Sequence, residues 1–378
     1  MEKIKKIVLI GGHPTPAIAL IDILEAEGGF EIHFFGRKHS TEGDKAQSLE
    51  YKLLKSRSGV IFYSITTGRL QRKFTRFTII SLIKIPFGLF QSIYLLAKIK
   101  PRIVIGFGGY LSVPVVIAAA LFRIPIFIHE QTSIPGLSIK ITSKFAKKIF
   151  VSFKSSASWF NQTKTVFSGN LIRKELLTPH SITNQKLREF LKLEHPLIYV
   201  TGGGQGSKVL NDFIIKNLSS LQKLKYRFIV QTGELQNSFA QKHLSNQLET
   251  DNELNNKFFV QPHFSSQEIS AIMQSSPIIF ARSGANTVTE ILFFKLPAIF
   301  VPLDIAAGSE QLQNAKLFSK NNVAEVIFTK DLNMNNFCNS LNTLDKKFNK
   351  NNFKNLESEI KIDSDNVLFK EILRFLSS

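Results

Sequence analysis

The segment PIIFARSGANTVTEI, Pro277 to Ile291, decides the fold. Apolar and small side chains run into Arg282. Ser-Gly follows, and then apolar residues recur at helical spacing on a stretch that carries Glu290. A short continuous apolar run of this kind is a strand covered on both faces, as in a parallel sheet between helices. In such sheets ligands bind at the loops that leave the carboxyl ends of the strands. The helix start after Ser-Gly offers open N–H groups to an anion, a contact worth only about 0.3–1 kcal/mol when exposed. Arg282 adds charge-assisted bonds, two-pronged if its fork is available. Glu290, less than two turns on, presents acceptors to a cis-diol. The corner reads as a grip for the diphosphate and ribose of a nucleotide sugar.

The same alternation extends in both directions. KIVLI, EIHFF, RIVIGF, IPIFIH and KKIFVSF are separated by helical stretches. After TVFSGN the series restarts with PLIYVTGGG, YRFIVQTG, KFFVQPHF, PIIFARSG, LPAIFVPL and VAEVIF. Alternating strands and helices predict an α/β protein with parallel sheets. The restart predicts two Rossmann-like domains, residues 1–168 and 169–345, facing across a cleft. A last helix near 366–378 is expected to return to the first domain.

A chain of 378 residues with 43% hydrophobic content suits two packed domains. The single cysteine, Cys338, excludes an intramolecular disulfide and a cysteine metal cluster. MEKIKKIVLIGGH has four apolar residues before Gly-Gly-His, short of the roughly 7–15 of a secretory leader, and reads as a first strand. IVIGFGGYLSVPVVIAAALF, Ile103 to Phe122, is long enough to span a bilayer. Its GFGGY turn and its proline instead indicate strand, turn and helix.

Charge is unevenly placed. Residues 51–174 hold 20 Lys and Arg against one carboxylate, Glu130, which accounts for the net charge of +19 and leaves 28 basic and 28 acidic residues elsewhere. A field concentrated in one lobe points to an anionic partner, either a membrane surface or nucleic acid. Gly68 to Arg102 carries eight basic residues, no acid, and many Phe, Ile and Leu. It can lie on a membrane, each cation near an anionic surface being worth about 1 kcal/mol. It can equally be a core helix with a solvated basic edge. Arg72, Lys73, Arg76 and Lys84 are the candidate membrane contacts.

YVTGGGQGSKVLN places four glycines between strand and helix, a shape that lets backbone approach phosphate. A dinucleotide fingerprint wants an acid about 20 residues later. Residues 213–233 contain none, which argues against it. His13, on a Gly-Gly turn at a helix start, is a candidate base, its imidazole kept neutral by the helix dipole. The plain alternative is a satisfied loop histidine. Glu130, the lone acid of the basic region, is a second candidate. The nearest Asp-x-Asp, Asp363 to Asp365, sits in the tail, so no required metal is expected.

Taken in order, IGFGGYLSVPVVIAAALFRIPIFIHEQTSIPGLSIK, GNLIRKELL, GGGQGSKVLN, RSGANTVTEI, LPAIFVPL and EQLQNA resemble the MurG family of peripheral membrane glycosyltransferases. The resemblance runs from about residue 6 to residue 328. It implies a GT-B fold and inverting transfer of N-acetylglucosamine from UDP-N-acetylglucosamine, without a cofactor, to the C4 hydroxyl of a lipid-linked muramyl peptide on the cytoplasmic face of the membrane. It implies His13 as base. Donor contacts follow from Ile10, Gly11, Gly12, Thr132, Arg173, Gly204, Gln205, Arg282 and Gln311, and from the run Ala285, Asn286, Thr287, Val288, Thr289 and Glu290. A uracil-capping loop is implied near Phe264. Gly108, Gly109 and Tyr110 fall on the acceptor-diphosphate side. Three positions depart from the family pattern. The first loop is shortened to Ile10-Gly11-Gly12-His13, Thr132 stands for an asparagine, and Gly204 stands for a serine. A UDP-sugar epimerase or another GT-B enzyme is the nearest alternative, and a basic nucleic-acid binder a remote one.

Overall fold

The computed structural model describes residues 4–39, 47–68, 76–173, 176, 182–194, 196–233, 237–276, 278–303 and 310–377, without the side chains at 49, 76–83, 237–239, 241 and 250. Arg72, Lys73 and the side chain of Arg76 lie outside the described residues. The chain divides into two compact units, Met1–Arg173 with Lys361–Ser378, and Lys174–Ile360.

The first unit holds β1 (Lys5–Ile10), β2 (Phe30–Gly36), β3 (Val60–Ser64), β4 (Ile103–Gly106), β5 (Ile126–Glu130), β6 (Lys148–Val151) and β7 (Thr165–Phe167). They form one parallel sheet in the order β3-β2-β1-β4-β5-β6-β7. Successive side chains alternate between its faces. Ile7, Leu9 and Phe34 pack with helices Pro14–Glu27 and Val367–Ser377, while Val8, Ile10 and Phe35 pack with helices Arg76–Ile99 and Ser112–Leu121. Ile103 to Phe122 is therefore a strand, a turn and a helix. No described helix is long and apolar enough to cross a membrane.

The C-terminal segment completes this unit. Asn170 N–H donates to the Lys361 carbonyl at 2.9 Å, and Asp363 N–H to the Asn170 carbonyl at 2.9 Å. Gly169 makes the passage possible: its φ is +107°, and a Cβ there would stand 2.5 Å from the carbonyl carbon of Ile362. The Asp363 carboxylate accepts from the N–H groups of Val367 (2.6 Å) and Leu368 (3.2 Å) at the start of the last helix, so this acid is a cap. Leu368, Phe369, Ile372 and Leu376 are buried, each stabilising by about 1.5–3 kcal/mol.

The second unit holds β8 (Leu197–Thr201), β9 (Arg227–Gln231), β10 (Phe258–Gln261), β11 (Ile278–Ala281), β12 (Ala298–Phe300) and β13 (Ala324–Val326), parallel and ordered β10-β9-β8-β11-β12-β13. It extends to Ile360, past the expected boundary at 345. Strand order reverses between β1 and β4 in the first sheet and between β8 and β11 in the second. These reversals are where open α/β sheets leave a crevice at the strand carboxyl ends.

Candidate active site

In the second unit the reversal point is built from Gly202–Ser207 after β8 and Arg282–Gly284 after β11. Thr201 Oγ1 accepts from Gly203 N–H at 3.0 Å, and the Gly203 carbonyl accepts from Gly206 N–H (3.0 Å) and Gln231 Nε2 (3.1 Å). Gly206 has φ +80°, and a Cβ there would lie 2.0 Å from the Thr232 carbonyl oxygen. Only glycine fits. The loop tip, Gly204 and Gln205, is exposed. Ser207 caps helix Lys208–Lys216, its hydroxyl accepting from Leu210 N–H.

Arg282 corrects one expectation. Its side chain is buried, with Nε donating to Ser207 Oγ (3.0 Å) and Nη1 to the carbonyls of Val301 (2.7 Å) and Pro302 (3.0 Å). Each edge of the guanidinium fork already has a member engaged, so a two-pronged hold on phosphate is not the arrangement here. The residue braces the corner and leaves its charge beneath it.

Helix Ala285–Phe294 starts at Gly284, whose missing side chain leaves the helix start uncapped. Ala285, Val288 and Thr289 have buried side chains, and Thr289 Oγ1 donates back to the Ala285 carbonyl at 2.7 Å. Of the six consecutive residues expected to bind donor, only Asn286, Thr287 and Glu290 are half-exposed, and the Asn286 side-chain oxygen is itself buried. Gln311 sits against this start. Its Oε1 accepts from Leu303 N–H (3.1 Å), its carbonyl accepts from Ser283 Oγ (2.7 Å), and its amide nitrogen is 3.9 Å from where a Cβ on Gly284 would stand. Phe264 is fully buried, with Tyr199 edge-on at 6.2 Å, so its ring cannot lie over a base. Pro262 and His263 beside it are half-exposed.

In the first unit two glycine loops press together at the reversal point. A Cβ on Gly12 would stand 2.0 Å from the Gly108 carbonyl oxygen, and one on Gly109 2.7 Å from Gly12 Cα. Gly11 N–H donates to the Phe35 carbonyl at 2.8 Å, tying β1 to β2. The Ile10 side chain is fully buried. His13 stands at the start of helix Pro14–Glu27 with no side-chain cap, and its Cδ2 is 3.4 Å from where a Cβ on Gly108 would be. Its pKa is lowered to about 4, by burial first and then by the charge of Arg37. The neutral imidazole was expected, but its cause is desolvation and a neighbouring cation.

Glu130 is buried, and its Oε1 accepts from both the N–H (2.8 Å) and the hydroxyl (2.7 Å) of Thr132. The Thr132 hydroxyl also lies 2.8 Å from the Ile134 carbonyl. Both residues brace the loop after β5, and the Glu130 Oε1 is engaged there. Arg173 lies half-buried at the end of the Gly169–Arg173 segment.

Three residues escaped the sequence reading. His129 Nε2 donates to the Gly169 carbonyl at 3.0 Å, which leaves Nδ1 unprotonated in the neutral ring. That Nδ1 and the Gln131 Oε1, two residues further along the chain, are buried acceptors without a partner among the described residues. Burial brings the pKa of His129 to about 4, against the bond to Gly169, with His13 lowering it further. Arg37, just past β2, lies with Cζ 5.5 Å from the Tyr110 ring centre. Among the described residues no group of three or more His, Cys, Asp or Glu could hold a metal ion.

Two parallel sheets, each with glycine-rich loops at its point of reversal, define the class of two-domain Rossmann-like proteins, and the family matches narrow it to glycosyltransferases. Residues 10–151 match the glycosyltransferase family 28 N-terminal domain and residues 197–367 the family 28 C-terminal domain. The chain is 32% identical over 365 residues to the UDP-N-acetylglucosamine–N-acetylmuramyl-(pentapeptide) pyrophosphoryl-undecaprenol N-acetylglucosamine transferase of Clostridium botulinum, covering 95% of this chain and 96% of that one. It is 34% identical over 314 residues to the same-named transferase of Borreliella afzelii, covering 82% and 79%. The crystal structure of Acinetobacter baumannii MurG superposes with a TM-score of 0.69 at 23% identity, over 98% of this chain and 99% of that one, and so shares the GT-B fold. The chain belongs to glycosyltransferase family 28, within its MurG branch.

Proposed function

We propose that this chain transfers N-acetylglucosamine from UDP-N-acetylglucosamine to the C4 hydroxyl of the muramyl sugar of a lipid-linked peptidoglycan precursor, with inversion at the sugar carbon. The observation that carries the reading is 32% identity to named transferases over 95% of the chain. The open helix start at Gly284 and the exposed Gly204–Gln205 tip receive the diphosphate, with Arg282 supplying charge from below. Preorganised dipoles and charge of this kind stabilise a departing UDP. Glu290 takes the ribose diol, Gln311 the sugar hydroxyls, and Arg173 adds a donor contact. His13, neutral and beside Gly108, removes the proton from the attacking hydroxyl, a role worth about 10²–10⁴-fold. Gly108, Gly109 and Tyr110 serve the acceptor diphosphate.

Membrane contact is assigned to the first unit as a peripheral dock on the cytoplasmic face. Phe87, Phe90 and Tyr94 are 59%, 70% and 65% exposed and share one face of helix Arg76–Ile99. Leu121 and Phe122, also exposed, end the neighbouring helix, and Lys98 and Arg123 are exposed cations of the same two segments. Aromatic groups with flanking cations suit an anionic lipid surface. A UDP-sugar epimerase has no use for such a face.

Transfer of radiolabel from UDP-N-acetylglucosamine to a short-chain lipid-linked muramyl peptide tests the reading. Labelled lipid and UDP are expected in equal amounts, and His13→Ala should cut turnover at least about a hundredfold with donor binding intact. Formation of a 2-epimer, or UDP release without labelled lipid, overturns it.

A further inference from the structure

We propose that the membrane dock of the first unit has a second anchor, Trp159, which seats its indole among the headgroups of an anionic bilayer with Lys140 beside it; this rests on the peripheral-membrane reading above. The chain's single tryptophan follows the short helix Lys154–Ala157, in the connection between β6 and β7 at the edge of the sheet, and is 53% exposed. Lys140 Nζ lies 3.8 Å from its ring centre. A cation over the ring face holds the indole beside a positive charge. An apolar body with a polar edge next to a cation is what a lipid headgroup region accepts. Helix Leu137–Thr142, which carries Lys140, buries Ile139 and Thr142 and leaves Leu137 exposed. Lys144 and Phe145, just beyond it, are exposed as well.

These residues continue the face already assigned to lipid. Leu95, Val115, Ile139 and Phe160 are buried in one cluster on the same side of the sheet, so helices Arg76–Ile99, Ser112–Leu121 and Leu137–Thr142 and the turn at Trp159 form one layer. Helix Ser112–Leu121 touches both the Arg76–Ile99 and the Leu137–Thr142 helices. From Arg76 to Trp159 the sequence has no carboxylate but Glu130, which is buried against Thr132. The opposite layer differs: helices Pro14–Glu27 and Val367–Ser377 expose no large apolar side chain among the described residues, and Glu25 and Glu27 are exposed there. Cations interleaved with exposed apolar groups, with no outward acid and on one side only, match an anionic lipid surface. Nucleic acid would use the cations and leave Leu137 and Phe145 without a role. A single row of rings on one helix lets a protein roll about that row. A second contact, on the far side of the same layer, removes that freedom and fixes the direction in which the strand carboxyl ends face.

The single tryptophan is its own reporter. The full chain is mixed with vesicles of phosphatidylcholine alone and with vesicles of equal parts phosphatidylcholine and phosphatidylglycerol. On the anionic vesicles its emission maximum is expected to move to shorter wavelength, and lipids brominated on the acyl chains are expected to quench it. Trp159→Ser, at an exposed position, should weaken co-sedimentation with those vesicles about tenfold. Lys140→Ser should weaken it about fivefold. Co-sedimentation of the parent with neither shift nor quenching, or equal binding by Trp159→Ser, overturns the proposal and leaves the peripheral-membrane reading standing on helix Arg76–Ile99. Failure of the parent to co-sediment overturns both. A shift produced by a duplex oligonucleotide and not by vesicles overturns the proposal and assigns the patch to nucleic acid.

Discussion

Arg282 Nε donates to Ser207 Oγ at 3.0 Å, and this bond joins the ends of β11 and β8, the strands between which the second sheet reverses. The same guanidinium holds the carbonyls of Val301 and Pro302, so three loops depend on one side chain. Arg282→Lys keeps the charge but not the fork. We predict a loss of about 2–3 kcal/mol of stability together with a raised donor KM. An arginine that only touched phosphate would change KM and leave the melting temperature in place, so calorimetry beside donor kinetics decides.

Gly12 and Gly108 set the second test. A methyl group on Gly12 would meet the Gly108 carbonyl oxygen at 2.0 Å, and neither is a flexible side-chain end that can move aside. Gly12→Ala must therefore push apart the loops that carry His13 and Tyr110. Misplacing a catalytic group by about 1 Å costs on the order of 10²-fold in rate. The expected result is a turnover loss of that size with UDP affinity retained, because the corner proposed above to hold the diphosphate and ribose is built in the second unit, and any contact of Gly12 with the donor would then be to its sugar. Loss of UDP binding measured by calorimetry would contradict it.

The architecture was legible because buried parallel strands are continuous apolar runs punctuated by glycine, and RIVIGF, PLIYVTGGG and PIIFARSG all show this. The glycine corners were legible for the same reason. What residue type alone does not carry is side-chain direction at a strand end. Arg282 was read as pointing to a ligand and points into the corner, and Phe264 was read near a base and is core. Glu130 drew notice as the only acid of a basic region, yet its carboxylate turns back on Thr132. His129 and Arg37 were missed because their partners, Gly169 and Tyr110, lie 40 and 73 positions away, across strand crossovers that no local pattern reports.

The apolar face of helix Arg76–Ile99 makes its own prediction. Phe87, Phe90 and Tyr94 are exposed at spacings of three and four residues, so replacing all three by Ser should leave the fold intact. Each aromatic ring buried in lipid stabilises by about 1.5–3 kcal/mol, discounted for partial insertion. The triple variant should bind vesicles containing anionic lipid at least about a hundredfold more weakly. Equal co-sedimentation of parent and variant would place the membrane contact elsewhere.

The buried histidine His129 predicts how stability follows pH. Its folded pKa is about 4, below the ordinary 6.5, because burial disfavours the charged ring. Between those two values the unfolded chain binds the proton and the folded chain does not. Stability is therefore complete above about pH 6.5 and falls as pH drops toward 4. For His129 alone the loss between pH 7.5 and pH 5 is on the order of 2 kcal/mol. His129→Phe removes the titrating group while keeping a ring beside Phe107, now 5.7 Å from the imidazole. The variant is expected to be less stable at pH 7.5, because the Gly169 carbonyl keeps only the Ser168 hydroxyl (3.2 Å) of its two donors, but to lose less on acidification by about that same amount. Urea midpoints for both proteins at the two pH values supply the comparison. Parallel losses in parent and variant would mean that another group, His13 foremost, governs the acid side.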